Sequence, residues 1–288
     1  MVDELRREGF HVIGTGSRDL GSAAAAGLLD CNEFHVMDLT DSTQVDGVVQ
    51  AVRPDYVVHL AAVAFVAHGN VEDFYKVNIL GTRHLLSALS GLDVPPLKTL
   101  IASSANVYGN ATEEAINESV APSPANDYAV SKLAMEHVAA LWQDQLSLVL
   151  TRPFNYTGVG QAENFLIPKI VSHFRSRAQV IELGNIDVWR DFGDVRMVAN
   201  TYRRLLQSTG KSGSRINVCT GTAHSLREVI GICSEITGHT IEIKVNPAFV
   251  RGNEVRMLKG DNALLRSLIG PVAGPSLPDT LKWMLAAG

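Results

Sequence analysis

Five short apolar runs, at residues 10–13, 33–37, 56–60, 99–103 and 147–151, alternate with longer stretches of helical periodicity at 42–52, 71–88 and 127–142. The runs are apolar throughout and not at every second position, so both faces of each strand must be covered. Strands separated by helix-length segments pair in parallel, with the helices packed on the two faces of the sheet. The chain is therefore expected to fold as an α/β protein on a doubly wound parallel sheet. Such sheets take ligands at the carboxyl ends of their strands, where the strand order reverses. Beyond Pro153 the alternation loosens. Gly, Asn and Pro become frequent there, and strands are expected near 180–183, 215–219 and 240–245. No repeat or low-complexity linker divides the chain, which predicts a smaller α+β lobe woven into the first half.

Composition narrows the function classes. The 288 residues, 46% hydrophobic and 19% charged, can bury a core without disulfide or metal staples. Net charge is −5 with no basic cluster, which argues against a nucleic-acid surface. Cys31, Cys219 and Cys233 show no paired spacing, so neither zinc nor a disulfide framework is indicated. Buried thiols in a reducing, cytoplasmic setting are expected. The longest apolar run, 56–67, is broken by His59 and is too short to span a bilayer. The opening MVDELRRE lacks the apolar core of a signal peptide and reads as the tail of an amphipathic helix.

The chemistry gathers in two stretches. In YAVSK, Tyr128 and Lys132 stand one helical turn apart on the same face. Asn126 or Asp127 is placed to cap that helix. A free phenol titrates near pH 10, and an adjacent ammonium stabilises the phenolate; bringing it to neutrality takes about 4 kcal/mol. In IASSANVYG a strand ends on Ser103 and Ser104, and Ser104 precedes Tyr128 by twenty-four residues. A hydroxyl there stands where a parallel sheet holds its ligands, and can donate to the oxygen that the phenol serves. A surface helix, or a strand that merely ends in serine, would show either stretch by itself. Their order and spacing together favour the catalytic reading.

These motifs resemble, in order and over nearly the whole length, those of the extended short-chain dehydrogenase/reductase family of nucleotide-sugar epimerases, dehydratases and reductases. The resemblance implies a Rossmann-like sheet, with a dinucleotide-binding domain at 1–158 and 186–222 and a nucleotide-sugar lobe at 159–185 and 223–288. It implies NADP(H) or NAD(H) as cofactor, Ser104, Tyr128 and Lys132 as catalytic residues, and no metal. FHVMDLTD resembles the family's third strand and puts Asp38 and Leu39 at the adenine. PDYVVHLAA resembles the fourth, with Leu60, Ala61 and Ala62 along the cofactor. VNILGT places Asn78 at the family's active-site asparagine, and Ser103, Tyr128, Lys132 and Pro153 complete the cofactor set. For the substrate the resemblance implies Ser104, Asn155 in RPFNYTGVGQ, Asn164, Lys169, Arg190 in WRDFGDV, and Arg251 and Glu254 in FVRGNEV. A guanidinium fork suits a diphosphate because it meets two oxygens at once.

FHVIGTGSRDLG admits two parses. Asp38 precedes His59 by twenty-one residues, the family's interval between its third and fourth strands. FHVIGTG is then the second strand, the site of Ser17 and Arg18 just beyond it accepts the 2′-phosphate of NADP, and the family's first strand and glycine loop are absent from this sequence. The spacing of Gly14, Gly16 and Gly21 also departs from the compact glycine loop. The other parse makes 14–21 the pyrophosphate loop and Asp38 the ribose acid. The first predicts a break in the sheet between the strand at 10–13 and the strand at 56–60. The second predicts a continuous sheet.

Dehydratases of the family carry carboxylates just after the catalytic Ser or Thr, where Ala105 and Asn106 stand in this chain. The cysteine of the fucose-forming epimerase-reductases is also absent from position 106. LGNIDVWRDFGDV and NPAFVRGNEVRMLKGDNALL resemble the GDP-mannose branch, although Gly252 replaces its usual proline. The implied activity is reduction of the C4 ketone of a GDP-4-keto-6-deoxy-hexose, forming GDP-D-rhamnose. A C4 epimerase, or a non-catalytic protein that binds nucleotide sugar or NADP, is the alternative. The family further implies a homodimer through a four-helix bundle of the 71–88 and 127–142 helices, and no nucleic-acid or membrane partner.

Overall fold

The computed structural model describes residues 1–17, 31–64, 70–111, 113–210, 212–249 and 257–287. Its strands are β1 (Ile13–Gly16), β2 (Glu33–Val36), β3 (Tyr56–His59), β4 (Lys98–Ala102), β5 (Leu148–Pro153) and β6 (Asn155–Thr157). They continue with β7 (Val180–Leu183), β8 (Trp189–Asp194), β9 (Ser214–Val218), β10 (Ala223–Ser225), β11 (Glu242–Val245) and β12 (Met257–Leu258). The α-helices are α1 (Val2–Arg7), α2 (Ser42–Val52), α3 (Val71–Tyr75), α4 (Thr82–Ser90) and α5 (Asp127–Ala140). Then come α6 (Leu166–Arg175), α7 (Val195–Leu206), α8 (Leu226–Thr237), α9 (Ala263–Ile269) and α10 (Leu277–Ala286).

The chain packs as two units. One comprises Met1–Gly109, Pro124–Arg152 and Ala199–Ile216; the other comprises Asn110–Ser123, Pro153–Val198 and Asn217–Gly288. Residues 110–123 and 217–222 thus pack with the second unit, as do 153–158 and 186–198, all of which the family resemblance groups with the dinucleotide domain; for the last two a cause is visible. The reason is β8, which lies between β10 and β12 in the second unit's sheet. Val188 and Phe192 also join that unit's core.

In the first unit, the strand order is β3-β4-β5-β9. The pairs β3/β4 and β4/β5 are parallel, with Val58 opposite Leu100 and Leu100 opposite Val149. Val45 and Val49 of α2, Leu86 and Leu89 of α4, and Met135 of α5 pack with Ile101, Leu148 and Leu150 of the sheet. Each such buried aliphatic side chain contributes about 1.5–3 kcal/mol.

β1 and β2 form a separate parallel pair. Among the described residues no pairing joins β1 to β3, so the sheet is interrupted where the second-strand parse expects it. Among the described residues the continuous sheet required by the other parse does not form. As a result Val57 and Val58 of β3 stay half-buried, while β5 is buried along its length. β1 also begins three residues later than the apolar run at 10–13 and runs through Gly14 and Gly16. Phe34 explains this. It stands opposite Gly14, and a Cβ on either glycine would come within 3.1 Å of its ring.

The helix expected over 71–88 is three pieces, α3, a π-helical turn at Lys76–Gly81, and α4. The second unit holds the sheet β10-β8-β12 with β6 beside β8, and a parallel pair β7/β11. Its core joins Ile170 and Phe174 of α6, Val229 and Cys233 of α8, and Leu281 and Met284 of α10. Cys219 and Cys233 are buried, but Cys31 is only half-buried, which corrects the expectation of three buried thiols. Among the described residues no helix is long and apolar enough to cross a membrane, and no cluster of His, Cys, Asp and Glu could hold a metal ion.

Candidate active site

Asn126 starts the helix that carries the Tyr-Lys pair. Its backbone is extended and its Oδ1 accepts the Ala129 N–H at 2.9 Å, which caps α5. Tyr128 is buried two residues on, its ring tilted against Phe74 with centroids 6.2 Å apart. One turn further, Lys132 is 3% exposed, and its Nζ donates to the Ala102 carbonyl at 2.7 Å. Ala102 is the last residue of β4, so the ammonium sits at that strand's carboxyl end, two residues from Ser104. Burial lowers the Lys132 pKa to about 8, with the Glu136 charge opposing. Most of the ammonium therefore remains charged at neutral pH.

The two serines are held by different partners. Ser103 gives its proton to Glu136 Oε1 at 2.6 Å. Glu136 is fully buried and is met by Arg152 at 2.9 and 2.6 Å and by Arg215 Nε at 3.0 Å. Burial pushes the Glu136 carboxyl up, but the bonds from Arg152, Ser103 and Arg215 outweigh it and leave its pKa below the usual value. Such a pairing is tolerated inside a protein where a lone carboxylate would cost several kcal/mol. Glu136, Arg152 and Arg215 were not singled out from the sequence; the available signal was a glutamate one turn after Lys132 on the same helix face. Ser104, extended in its backbone, caps a 3-10 turn at Ala105–Tyr108. Its Oγ accepts from the Asn106 backbone N–H at 3.1 Å and from Asn106 Nδ2 at 3.2 Å.

Asn78 lies inside the π turn, an insertion that proteins often place at functional sites. Its Oδ1 accepts the Val63 N–H at 2.9 Å, and its Nδ2 donates to the Val63 carbonyl at 3.1 Å and to Ser131 Oγ at 2.9 Å. Ser131 in turn donates to the Tyr128 carbonyl at 2.8 Å. One amide thus ties the segment after β3 to α5. Beside it, Thr82 gives its proton to the Asn78 carbonyl at 2.8 Å, so its oxygen must accept from His59 Nε2 at 2.9 Å. His59 therefore carries a proton on Nε2. Burial, with the Lys132 charge adding, lowers its pKa to about 3.

The remaining expected residues are spread over both units. Asp38 follows β2, and its Oδ1 accepts from Thr40 N–H and O–H, each at 2.8 Å. Leu39 is buried, and a Cβ on Gly81 would come 2.9 Å from its own Cβ. Ser17 is exposed after β1; Leu60 and Ala61 are exposed and Ala62 half-buried after β3; Pro153 ends β5. In the second unit, Asn155 is exposed on β6 and Asn164 is exposed before α6. Lys169 on α6 donates to the Glu182 carbonyl at 2.7 Å and stands 4.7 Å over the Phe249 ring. Arg190 on β8 gives an Nη1 proton to the Trp189 carbonyl at 2.8 Å. Arg18, Arg251 and Glu254 lie outside the described residues.

The donor set fits a dinucleotide. Among the described residues Lys132 gives one N–H to a carbonyl, and an ammonium has three. A buried ammonium with further protons to give suits the vicinal hydroxyls of a ribose.

The comparisons with known proteins agree with this chemistry. A family model described as GDP-mannose 4,6 dehydratase matches residues 1–281. The GDP-6-deoxy-D-talose 4-dehydrogenase of Aggregatibacter actinomycetemcomitans is 38% identical over 234 residues, 81% of this chain and 79% of that protein. The GDP-6-deoxy-D-mannose reductase of Pseudomonas aeruginosa is 37% identical over 244 residues, 81% of this chain and 80% of that protein. The solved structure of RMD from Pseudomonas aeruginosa, complexed with NADPH, matches with a TM-score of 0.82 at 31% identity. The match covers 96% of this chain and 97% of that one.

Proposed function

This chain belongs to the extended short-chain dehydrogenase/reductase family, in the group that the GDP-mannose 4,6 dehydratase model describes, and from that membership we propose that it is an NAD(P)H-dependent oxidoreductase acting at C4 of a GDP-6-deoxy-hexose. The observation that carries the proposal is Lys132, buried at the carboxyl end of β4 with Tyr128 one turn before it and Ser104 two residues past the strand. The names of the two relatives support the sugar: both are GDP-6-deoxy-hexose enzymes, and talose differs from mannose in configuration at C4. The NADPH complex of the Pseudomonas protein supports the cofactor. Ala105 and Asn106 offer no carboxylate for eliminating water, which favours redox chemistry over dehydration. The direction we propose is reduction of the 4-ketone to GDP-D-rhamnose.

The chemistry that a reduced nicotinamide supplies when bound is a hydride for the C4 carbon. Tyr128 gives its phenolic proton to the C4 oxygen, and Ser104 donates a hydrogen bond to the same oxygen. Lys132 keeps its charge beside the phenol and stabilises the phenolate left behind. Asn155, Asn164, Lys169 and Arg190, with Arg251 and Glu254, hold the nucleotide sugar, and Ser17, Arg18, Asp38, Leu39, Leu60, Ala61, Ala62, Asn78, Ser103 and Pro153 line the cofactor. The same proposal includes a homodimer through a four-helix bundle of the 71–88 and 127–142 segments, supported by Leu80 in the π turn and Leu141 just after α5, which are 48% and 72% exposed.

The test offers the chain GDP-4-keto-6-deoxy-mannose with NADPH. Cofactor is expected to be consumed one for one with ketone, and proton NMR should find the manno configuration at C4. A talo product would reverse the stereochemical part. Formation of the 4-keto-6-deoxy sugar from GDP-mannose would replace the reductase reading with a dehydratase. Interconversion of C4 epimers without net loss of cofactor would make the protein an epimerase, and sugar binding without turnover would make it a binding protein.

A further inference from the structure

We infer that Asn106 is a positioning residue that turns the Ser104 hydroxyl into an obligate donor toward the substrate oxygen. The inference rests on the C4-ketone reading above. A serine hydroxyl has one proton to give and two lone pairs to receive. Asn106 fills both lone pairs, one with its backbone N–H at 3.1 Å and one with its side-chain Nδ2 at 3.2 Å. Among the described residues no acceptor takes the Ser104 proton, whereas the neighbouring Ser103 spends its own on Glu136 at 2.6 Å. Ser104 is 6% exposed, and Asn106 is exposed beside it.

An oxygen gaining negative charge is stabilised by donors already aimed at it, because no reorientation is then needed during the reaction. A serine free to rotate would present a lone pair to that oxygen part of the time. With both lone pairs engaged, only the proton is left to point away from Asn106. A carboxylate at position 106 would do the opposite: it would accept the Ser104 proton and turn a lone pair toward the substrate.

Asn106→Asp makes that exchange with almost no change of shape, and it keeps the backbone N–H bond. With GDP-4-keto-6-deoxy-mannose and NADPH, kcat is expected to fall by about a hundred- to a thousandfold, as for loss of one oxyanion donor. KM should stay within about twofold, the signature of an interaction made mainly in the transition state. In a Ser104→Ala background the same exchange should change kcat by less than about twofold, since the hydroxyl it acts through is gone. Asn106→Ala, which removes the side-chain donor without adding an acceptor, should lose less than Asn106→Asp. It also carries the cycle if the aspartate variant melts early. Equal losses with and without Ser104, or full activity in Asn106→Asp, would overturn the inference alone. No ketone-dependent turnover by the unvaried chain would overturn the reading, and this inference with it.

Discussion

His59 and Lys132 share one environment at the residue scale, and both are pushed toward their neutral forms. For His59 the consequence is a definite acid sensitivity. Between its usual pKa near 6.5 and its native value of about 3, the unfolded chain binds a proton that the folded chain refuses. Stability then rises with pH across that window and falls on acidification, by up to about 1.4 kcal/mol per pH unit from this group. In urea titrations from neutrality down to about pH 4, the stability of His59→Asn is expected to fall less steeply than that of the unvaried chain. Parallel slopes would show that His59 titrates freely. In the proposed reaction, Tyr128 is the residue on which turnover depends most directly. Tyr128→Phe keeps the ring against Phe74 and removes the proton, so kcat should drop by about a hundredfold or more while NADPH affinity is little changed. Near-normal turnover would take Tyr128 out of proton transfer.

Elements show why some of this was readable. The α5 start was legible because asparagine before an amphipathic run is a cap by local chemistry alone, and Asn126 does bond the Ala129 N–H. Asn126→Ala should cost about 1 kcal/mol and lower the melting temperature by a few degrees, with Asn126→Asp largely restoring it. Because the cap sits two residues before Tyr128, a fall in kcat should accompany the alanine change; a thermal shift alone would confine the cap to stability. The π turn was not legible. Nothing in KVNILG departs from ordinary helical periodicity, and the wider turn is seen only where Asn78 meets both Val63 and Ser131. Why β1 runs through Gly14 and Gly16 was not legible for a related reason. A glycine in a strand looks like a strand end until the ring beside it, Phe34, is known.

For the whole molecule, the proposed dimer brings its own measurement. Leu141 and Leu80 are large apolar side chains left 72% and 48% exposed. Sedimentation of the unvaried chain should give a dimer, and the double change Leu80→Glu with Leu141→Glu should give a monomer with the same far-ultraviolet spectrum. A monomeric unvaried chain removes the bundle from the proposal. The division into units is also a property of this scale. β8 was not recognised as a strand in sequence, and its place between β10 and β12 is what draws residues 186–198 into the second unit.

The sequence by itself determined whatever depends on neighbours along the chain: the alternation of apolar strands and helices, the helical phase that puts Tyr128 and Lys132 on one face, the strand end at Ser103 and Ser104, and the cap at Asn126. These are short-range effects of periodicity and local hydrogen bonding, so residue order is enough to read them. Only the tertiary structure decided the partners. Asn78 and Ser131 lie fifty-three residues apart, Ser103 and Glu136 thirty-three, and Arg215 and Glu136 seventy-nine. A buried polar group must find a partner or lose several kcal/mol of hydration, yet which partner it finds depends on where distant backbones are brought together. The same holds for the break between β1 and β3, since a strand's sequence states that it needs neighbours and only the assembled sheet states on which side it has one.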